Sequence, residues 1–191
     1  MSRQRMLDRW CVRCGRTSPT PYTMKAIAWR KKAGLPIRSV LDLGCGNGRN
    51  LRAFQSETNA TRLVGFDLCT EKAKRLCGSQ LCQKVLFKEG ILGQTEIPKG
   101  KFDVILLNYS LMFLSDEETA ELAKQVSTRL NEGGWVVIEM YPAKDSDCPT
   151  DFDCNARMHT FIFSAGIAPS ALYGTVGIAR QSKNRMIIQK E

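Results

Sequence analysis

A short apolar strand that runs directly into a glycine-rich turn most constrains the fold of this chain. The stretch "SVLDLGCGNGRN" (Ser39 to Asn50) is typical of a buried strand, a turn with glycine at alternate positions, and the first turn of a helix. Glycines let the backbone adopt positive φ and approach a ligand closely. The helix start presents N–H groups that can bind polar or anionic parts of a cofactor. We therefore expect a cofactor with a nucleotide portion at this turn.

Strands and helices alternate along the rest of the chain. Apolar strands are predicted at "RLVGFD", "KVLFKE", "KFDVILLN" and "WVVIEM". Helices are predicted at 47–55, at "TEKAKRLCGSQ", after the capping box that starts at Ser115, and at "DFDCNARMHTFIFSAG". "ALYGTVGIAR" and "RMIIQ" are predicted to form a hairpin. Together these elements predict an α/β fold with a doubly wound, Rossmann-like, mostly parallel sheet and a C-terminal antiparallel hairpin.

The positive charge of the chain is concentrated near its N-terminus. Residues 1–38 contain ten basic residues and one acid, Asp8, so their net charge of +9 equals that of the whole chain. "YTMKAIAWRKKAG" (Tyr22 to Gly34) within this segment is predicted to be a helix. A basic segment attracts nucleic-acid phosphates, an anionic substrate or an acidic partner. It is equally typical of a solvated surface that aids solubility.

The spacing of the glycines separates two classes of cofactor. Dinucleotide-binding turns have the pattern G-x-G-x-x-G. Here Gly44, Gly46 and Gly48 form G-x-G-x-G, and Arg49 stands where the third dinucleotide glycine would fall. Asp42 precedes the first glycine by two residues. This pattern favours a cofactor other than a dinucleotide.

Four stretches, in order, resemble the class I S-adenosylmethionine-dependent methyltransferases. "LDLGCGNG" resembles motif I of that family, "VGFDLC" resembles motif II, and "FDVILLN" and "LNEGGWVVIEM" resemble its fourth and fifth strands. The resemblance covers residues 39–141 and implies S-adenosylmethionine as the cofactor. "NYSLMFLSDEET", "GCGNGRN" and "RTSPTPY" resemble, in particular, the tellurite-resistance and thiopurine-like small-molecule methyltransferases.

The resemblance also implies which residues bind the cofactor. Asp67, at the end of the second strand, would bind the ribose hydroxyls. The family often has "EGD" after the third strand for the adenine contact, whereas Ile91 stands here in the place of the Asp. Either Glu89 or the backbone near Gly90 and Ile91 would then contact adenine. The predicted cofactor-binding residues are Asp42, Gly44, Cys45, Gly46, Gly48, Asp67, Leu68, Glu89, Gly90, Ile91 and Asn108.

Several absences restrict the methyl acceptor. "NYSLMFL" lacks the Pro-Pro-aromatic pattern of enzymes that methylate exocyclic amines in nucleic acids, and no Pro-Cys dipeptide offers a cytosine-5 nucleophile. By resemblance, residues 1–38 form a basic arm and helix that cover the active site, and residues 39–191 form the methyltransferase domain. We predict methyl transfer to a small, anionic or soft-nucleophile acceptor, because soft nucleophiles need little help from a base. The candidates for the acceptor pocket are Tyr22, Tyr109 and Met112.

Other functions stay open at this point. The basic segment would also suit RNA or DNA phosphates, and the chain could be a cofactor-binding module without turnover. No catalytic residue is predicted, because the single histidine, His159, has apolar neighbours typical of a packed side chain.

No metal site is predicted either. "CVRCG" (Cys11 to Gly15) is half of a zinc pattern, and its other half would have to come from Cys148, Cys154 or His159. No apolar run approaches the length needed to cross a bilayer, so no membrane is expected. Eight cysteines without a secretion signal predict reduced thiols and a cytoplasmic protein.

Overall fold

The structure is a computed structural model, and it describes residues 17–71, 73–75, 85–140, 154–166 and 185–190. The helices of these parts are α1 (Pro21–Lys32), α2 (Arg49–Glu57), α3 (Asp116–Arg129) and α4 (Cys154–Ala165). The strands are β1 (Ser39–Leu43), β2 (Arg62–Asp67), β3 (Val85–Glu89), β4 (Phe102–Asn108), β5 (Leu130–Glu139) and β6 (Arg185–Gln189). A 3-10 helix (Leu111–Phe113) follows β4.

The described strands form a single sheet in the order β3-β2-β1-β4-β5-β6. Every neighbouring pair is parallel except β5 and β6, which are antiparallel. The predicted α/β fold with a mostly parallel sheet and a C-terminal antiparallel strand pair is therefore confirmed. "ALYGTVGIAR", the first arm of the predicted hairpin, lies outside the described residues, as do residues 72 and 76–80 of the predicted helix after β2.

Helices cover both faces of the sheet, which explains the continuous apolar run in β4. Val104 and Leu106 face a cluster that includes residues of α1 and α2, such as Ile27 and Phe54. Ile105 and Leu107 face the opposite cluster, which includes residues of α3 and α4. A parallel strand that is buried on both faces has no polar side to alternate with, so its side chains are apolar throughout.

Local capping chemistry sets the first residue of each helix at the site. Thr20 caps α1 by accepting a hydrogen bond from the Thr23 N–H, and Pro21 occupies the first helical position, where its missing N–H costs nothing. The predicted start of α2 at residue 47 is two residues early, because Gly48 is its N-cap, with a φ of 72°. At α3 the predicted capping box is confirmed: Ser115 and Glu118 bond each other's backbone N–H groups.

The two glycines of "NEGG" are typical of a helix end and predict that this stretch closes α3, but this prediction is wrong. The helix ends at Arg129 and Leu130 already belongs to β5. The backbones of Gly133 and Gly134 form hydrogen bonds of 2.9 Å with Lys190, just beyond β6, so these glycines continue the sheet. The pairing with β6 involves residues far apart in the chain, which local glycine content does not reveal.

The length and apolar character of each helix decide whether that helix could cross a membrane. Within the described ranges, the structure contains no helix with the length and apolar character needed to cross a membrane.

Candidate cofactor and acceptor site

The order of the strands places the candidate site at one edge of the sheet. Successive strands run outward from β1 to β2 and β3 on one side, and from β4 to β5 and β6 on the other. In open α/β sheets, ligands bind beyond the carboxyl ends of the strands at this point of reversal. The turn after β1, the end of β2, and the ends of β4 and β5 therefore share one region, which holds most of the residues predicted from sequence.

The glycine turn after β1 requires its glycines. Gly44, Gly46 and Gly48 have φ values of 82°, 55° and 72°, in the left-handed region that side chains rarely adopt. Gly44 is also crowded, because a Cβ at this position would lie 2.7 Å from the Cβ of Ser110. The Gly44 and Cys45 N–H groups donate to the Phe66 carbonyl, at 2.8 and 3.1 Å. The turn is thus held against β2 and against the segment after β4.

Asp67, the last residue of β2, faces this turn. Its Oδ2 accepts the Gly46 N–H at 2.8 Å and its Oδ1 accepts the Cys69 N–H at 3.2 Å. Burial raises the pKa of Asp67, while the hydrogen bonds from Gly46, Cys69 and Leu68 lower it in part. A carboxylate oxygen can accept two hydrogen bonds, so both oxygens of Asp67 retain capacity for the vicinal hydroxyls of a ribose. Asp67 therefore fits the role implied by the sequence resemblance.

Asp42 is a buried carboxyl group two residues before the turn. It is fully buried, and neither oxygen has a hydrogen-bond partner among the described residues. Burial raises its pKa to about 7, although the Arg49 charge lowers it. Asn50 also lowers this pKa slightly but does not reach hydrogen-bond geometry. A buried acid without partners favours a nearby positive charge, and S-adenosylmethionine carries a sulfonium and an ammonium group.

The residues predicted to contact adenine are partly committed to other partners. Glu89 Oε1 accepts the Thr70 hydroxyl at 2.8 Å and the Thr70 N–H at 3.2 Å, and these bonds lower the pKa of Glu89. Glu89 Oε2 forms no hydrogen bond within the described ranges. The Gly90 N–H donates to the Asp67 carbonyl, and the Ile91 N–H donates to the Thr95 hydroxyl. A donor on adenine would therefore find an acceptor at Glu89 Oε2, whereas both backbone N–H groups are already bonded.

Asn108, the last residue of β4, bonds to the start of α1. Its Nδ2 donates to the hydroxyls of Thr20 and Thr23, each at 3.0 Å. The Thr20 N–H in turn donates to Asn50 Oδ1 at 3.0 Å. Asn108 Oδ1 is buried and has no partner among the described residues. The first turn of α1 is thereby fixed over the carboxyl end of β4, through threonines that the sequence pattern did not single out.

Tyr109 and Glu139 form a second buried contact at the same edge. The Tyr109 hydroxyl donates to Glu139 Oε1 at 2.7 Å, and the Tyr109 N–H donates to the Glu139 carbonyl at 2.6 Å. Arg185 Nε lies 3.1 Å from the same Oε1, and the Tyr22 N–H reaches Oε2 at 3.4 Å. Glu139 is fully buried. Sequence reasoning missed both Glu139 and Arg185, although a glutamate inside the apolar run "WVVIEM" was an available signal.

Three cations surround the two tyrosine rings at this edge. Lys25 Nζ and the Arg185 guanidinium lie 4.9 and 5.1 Å from the centre of the Tyr22 ring. The Arg49 guanidinium lies 6.0 Å from the centre of the Tyr109 ring. Arg185 pairs with Glu139, whereas neither Lys25 nor Arg49 forms an ion pair with a carboxylate of the described ranges. The arrangement therefore has an excess of positive charge.

Of the three candidates for the acceptor pocket, two lie close together. Tyr22 and Tyr109 both bond Glu139, through a backbone N–H and a hydroxyl respectively. Met112 lies in the 3-10 helix after β4, and it belongs with Tyr109 to the apolar cluster on the α3 and α4 side of the sheet.

Clusters of potential metal ligands are absent from the parts of the chain that the structure covers. No group of three or more His, Cys, Asp or Glu residues within these parts could hold a metal ion. Cys11, Cys14 and Cys148 lie outside the described residues, as do the side chains of Cys154 and His159.

The sheet order, the glycine turn and the acid at the end of β2 define the class: a Rossmann-like S-adenosylmethionine-dependent methyltransferase fold. A methyltransferase of this kind from Clostridium acetobutylicum has a similar structure, with a TM-score of 0.69 and 14% identity over 88% of this chain and 90% of that one. A TehB-like methyltransferase from Corynebacterium glutamicum matches with a TM-score of 0.66 and 16% identity over 99% and 98% of the two chains. At these identities the likeness concerns the fold.

Family membership follows from the sequence match. Residues 5–165 match the model of a methyltransferase domain family, and the chain belongs to this family. S-adenosylmethionine is the cofactor of the class. A curated relative, the carboxy-S-adenosyl-L-methionine synthase of Campylobacter curvus, is 29% identical over 108 residues, which are 54% of this chain and 45% of the relative. The chain spans less than half the length of the curated relatives it matches.

Proposed function

We propose that this chain transfers the methyl group of S-adenosylmethionine to a small anionic acceptor. The observation that carries the proposal is the pairing, at one sheet edge, of a fitting cofactor turn with a positively charged, tyrosine-lined contact. When bound, the cofactor supplies a methyl group on a positively charged sulfur, which a nucleophile in line with the S–C bond can take. Proximity and orientation supply most of the rate of such a transfer.

The chain's acidic residues would hold the cofactor from three directions. Asp67 accepts hydrogen bonds from the ribose hydroxyls while the Gly46 N–H keeps its carboxylate in place. Glu89 Oε2 would accept a hydrogen bond from the adenine amino group. The ionised form of Asp42 would attract the positive charges of the cofactor.

The acceptor would be held by the cations next to the two tyrosines. Lys25 and Arg49 belong to different helices, α1 and α2, and each lies against a tyrosine ring. The hydrogen bonds between Asn108 and the two threonines keep the first turn of α1, and with it Lys25, at the end of β4. The cytoplasmic location is a further part of the proposal, and cell fractionation tests it.

Replacement of Asp67 tests cofactor binding. We expect Asp67→Asn to weaken the binding of S-adenosylhomocysteine about 10- to 100-fold in isothermal titration, because it removes hydrogen bonds to a charged acceptor worth about 1.5–3 kcal/mol. The matched control is Asp116→Asn, an exposed aspartate in the first turn of α3. It should leave the affinity unchanged. Equal affinity in both variants would remove Asp67 from the site, and no binding by the wild-type protein would remove the proposed function.

Replacement of Lys25 tests the charge of the acceptor. Methyl transfer from labelled S-adenosylmethionine into the small-molecule fraction of a cell extract should fall several-fold in Lys25→Met. Lys32→Met is the matched control, because Lys32 lies in the last turn of α1, at the opposite end of that helix. The difference in methyl transfer between the wild-type protein and Lys25→Met should diminish as salt is added, since salt screens exposed charges. Equal transfer by both variants at low salt would argue against an anionic acceptor.

A further inference from the structure

The residues before and after Tyr109 in the chain place it beside the cofactor turn. It follows Asn108, the last residue of β4, at the point where the strand order reverses. Ser110, the next residue, lies so close to Gly44 that a Cβ on that glycine would come within 2.7 Å of the serine Cβ. Arg49, the first residue of α2 after the turn, lies over the tyrosine ring. The Tyr109 side chain is therefore an immediate neighbour of the turn.

The backbone of Tyr109 is held in an unfavourable conformation. Its φ of 62° is the only positive value at a non-glycine position within the described ranges. An aromatic residue avoids this region unless surrounding contacts impose it, and such outliers cluster at functional sites. Here two bonds from Tyr109 to Glu139 impose it, one from the N–H and one from the hydroxyl.

The register of the sheet explains why these groups meet. Asn108 lies opposite Glu139 in the pairing of β4 with β5, and Glu139 lies opposite Arg185 in the pairing of β5 with β6. The residue after Asn108 consequently reaches the glutamate, whose other neighbour is the arginine. Glu139 thus joins the end of β4, the end of β5, the start of β6 and the first turn of α1.

The Tyr109 hydroxyl group donates its proton to one fixed acceptor. A phenol has one proton to donate, and this one is donated to Glu139 Oε1. Arg185 forms an ion pair with the same oxygen. An ionised carboxylate only accepts hydrogen bonds, so the proton between the two side chains belongs to the tyrosine. Any further hydrogen bond to the tyrosine oxygen must come from a donor. A ligand atom beside the Tyr109 hydroxyl oxygen forms a hydrogen bond with it if the ligand atom carries a proton. A ligand atom without a proton forms none.

We propose that Tyr109 hydrogen-bonds the reacting atom of the methyl acceptor, and that this atom is accordingly a protonated oxygen or nitrogen. This inference rests on the proposed function. It deepens that function by favouring an anionic acceptor with an O–H or N–H nucleophile over a soft acceptor without a proton. Tyr109 is then a catalytic residue, whereas Glu139 and Arg185 are positioning residues.

The transfer balances with the groups at the site. The acceptor atom forms its bond to the methyl carbon as the S–C bond breaks, and the electron pair of that bond goes to sulfur, which becomes neutral. The acceptor proton moves to the Tyr109 oxygen while the tyrosine proton moves to Glu139 Oε1. Tyr109 remains neutral and Glu139 becomes protonated. After the product leaves, the proton returns by the same route to water.

Three benzoates that differ only in the nucleophile test the inference. Salicylate offers an O–H, anthranilate offers an N–H, and thiosalicylate offers an unprotonated thiolate at about pH 9. We expect Tyr109→Phe to lower kcat about 100-fold with the first two, in keeping with the loss of proton transfer, and by less than about threefold with the third. The affinity for S-adenosylhomocysteine, measured by titration, should stay within about twofold. A general structural defect would lower all three rates together.

Two further measurements keep the inference testable. Glu139→Gln keeps an oxygen acceptor for the tyrosine but cannot take a proton, so it should lower kcat with salicylate more than it raises KM. If the benzoates are not substrates, or if Tyr109→Phe does not fold, mass spectrometry identifies the product that the wild-type protein forms from a cell extract. An O-methyl or N-methyl product supports the inference.

The failures are distinguishable. A methylated sulfur, selenium, tellurium or halide product overturns the inference but leaves the proposed function intact. So does an undiminished salicylate rate in Tyr109→Phe. Absence of both cofactor binding and methyl transfer in the wild-type protein removes the proposed function, and the inference with it.

Discussion

Asp42 should make the stability of this protein depend on pH in a way that one substitution abolishes. Burial raises the pKa of this carboxyl from 3.8 to about 7. The folded state therefore retains the proton at pH values where the unfolded state has released it. The stabilisation is fully present below about pH 4 and is lost as the pH rises to about 7, because the unfolded state then binds fewer protons than the folded state. At about 1.36 kcal/mol per pH unit, the loss amounts to about 4 kcal/mol.

Asp42→Asn keeps the shape of the side chain and removes its titration. The free energies of unfolding of the wild-type protein and the variant are measured by urea denaturation between about pH 4 and pH 8. Other groups titrate in both proteins, so the difference between the two curves isolates Asp42. That difference should move in favour of the variant by up to about 4 kcal/mol across this range.

Asp103→Asn is a matched control with the opposite sign. Burial alone would raise the pKa of Asp103, but hydrogen bonds from Asn131 and from the backbone of Arg38 and Ser39 hold it below its usual value. Its contribution to stability is present above the unfolded pKa and is lost as the pH falls through the folded value. The gap in free energy of unfolding between wild type and this variant should therefore stay nearly constant above about pH 5 and narrow only below about pH 4. A flat difference for Asp42→Asn would refute the account of a buried, unpartnered carboxyl group.

Three further predictions concern the same region of the molecule. Binding of S-adenosylmethionine should release a proton near pH 6 and tighten from pH 6 to 8, because the positive charges of the cofactor favour ionised Asp42. Calorimetric titration in two buffers of different ionisation enthalpy measures the proton release. Asp42→Asn should show neither effect. Gly48→Ala should destabilise the protein by about 1–2 kcal/mol in urea denaturation, since the φ of 72° disfavours a Cβ. Ser115→Ala should cost about 1 kcal/mol, because it removes the capping box at the start of α3.

The sequence predicted the elements whose causes are local. Three alternating glycines after an apolar strand predicted the turn, and all three have positive φ. The capping box predicted the start of α3, and Gly166, with a φ of 61°, follows the end of α4 as expected. The parallel order of the sheet followed from the alternation of strand and helix. The roles given to individual cofactor-binding residues stay predictions that the variants above address.

The acceptor side of the site was not predictable, because its contacts join distant parts of the chain. Glu139 lies 30 residues from Tyr109 and 117 residues from Tyr22, both of which bond it. Asn108 was predicted to bind the cofactor, yet its amide donates to Thr20, 88 residues away. These pairings depend on strand register and on the position of α1, and the local periodicity of the sequence predicts neither. A glutamate at the end of an apolar strand was the one local indication of a buried polar contact.

Transfer of a labelled methyl group into fractionated cell extract tests the central claim most directly. The protein is incubated with methyl-labelled S-adenosylmethionine and extract that has been separated into small molecules, RNA, DNA and protein. The account predicts label in the small-molecule fraction, on an anionic compound, at a rate that falls in Asp67→Asn and Lys25→Met. Label confined to RNA or DNA would instead support a nucleic-acid methyltransferase guided by the basic N-terminal segment. Cofactor binding with no label in any fraction would contradict the claim that this chain transfers methyl groups.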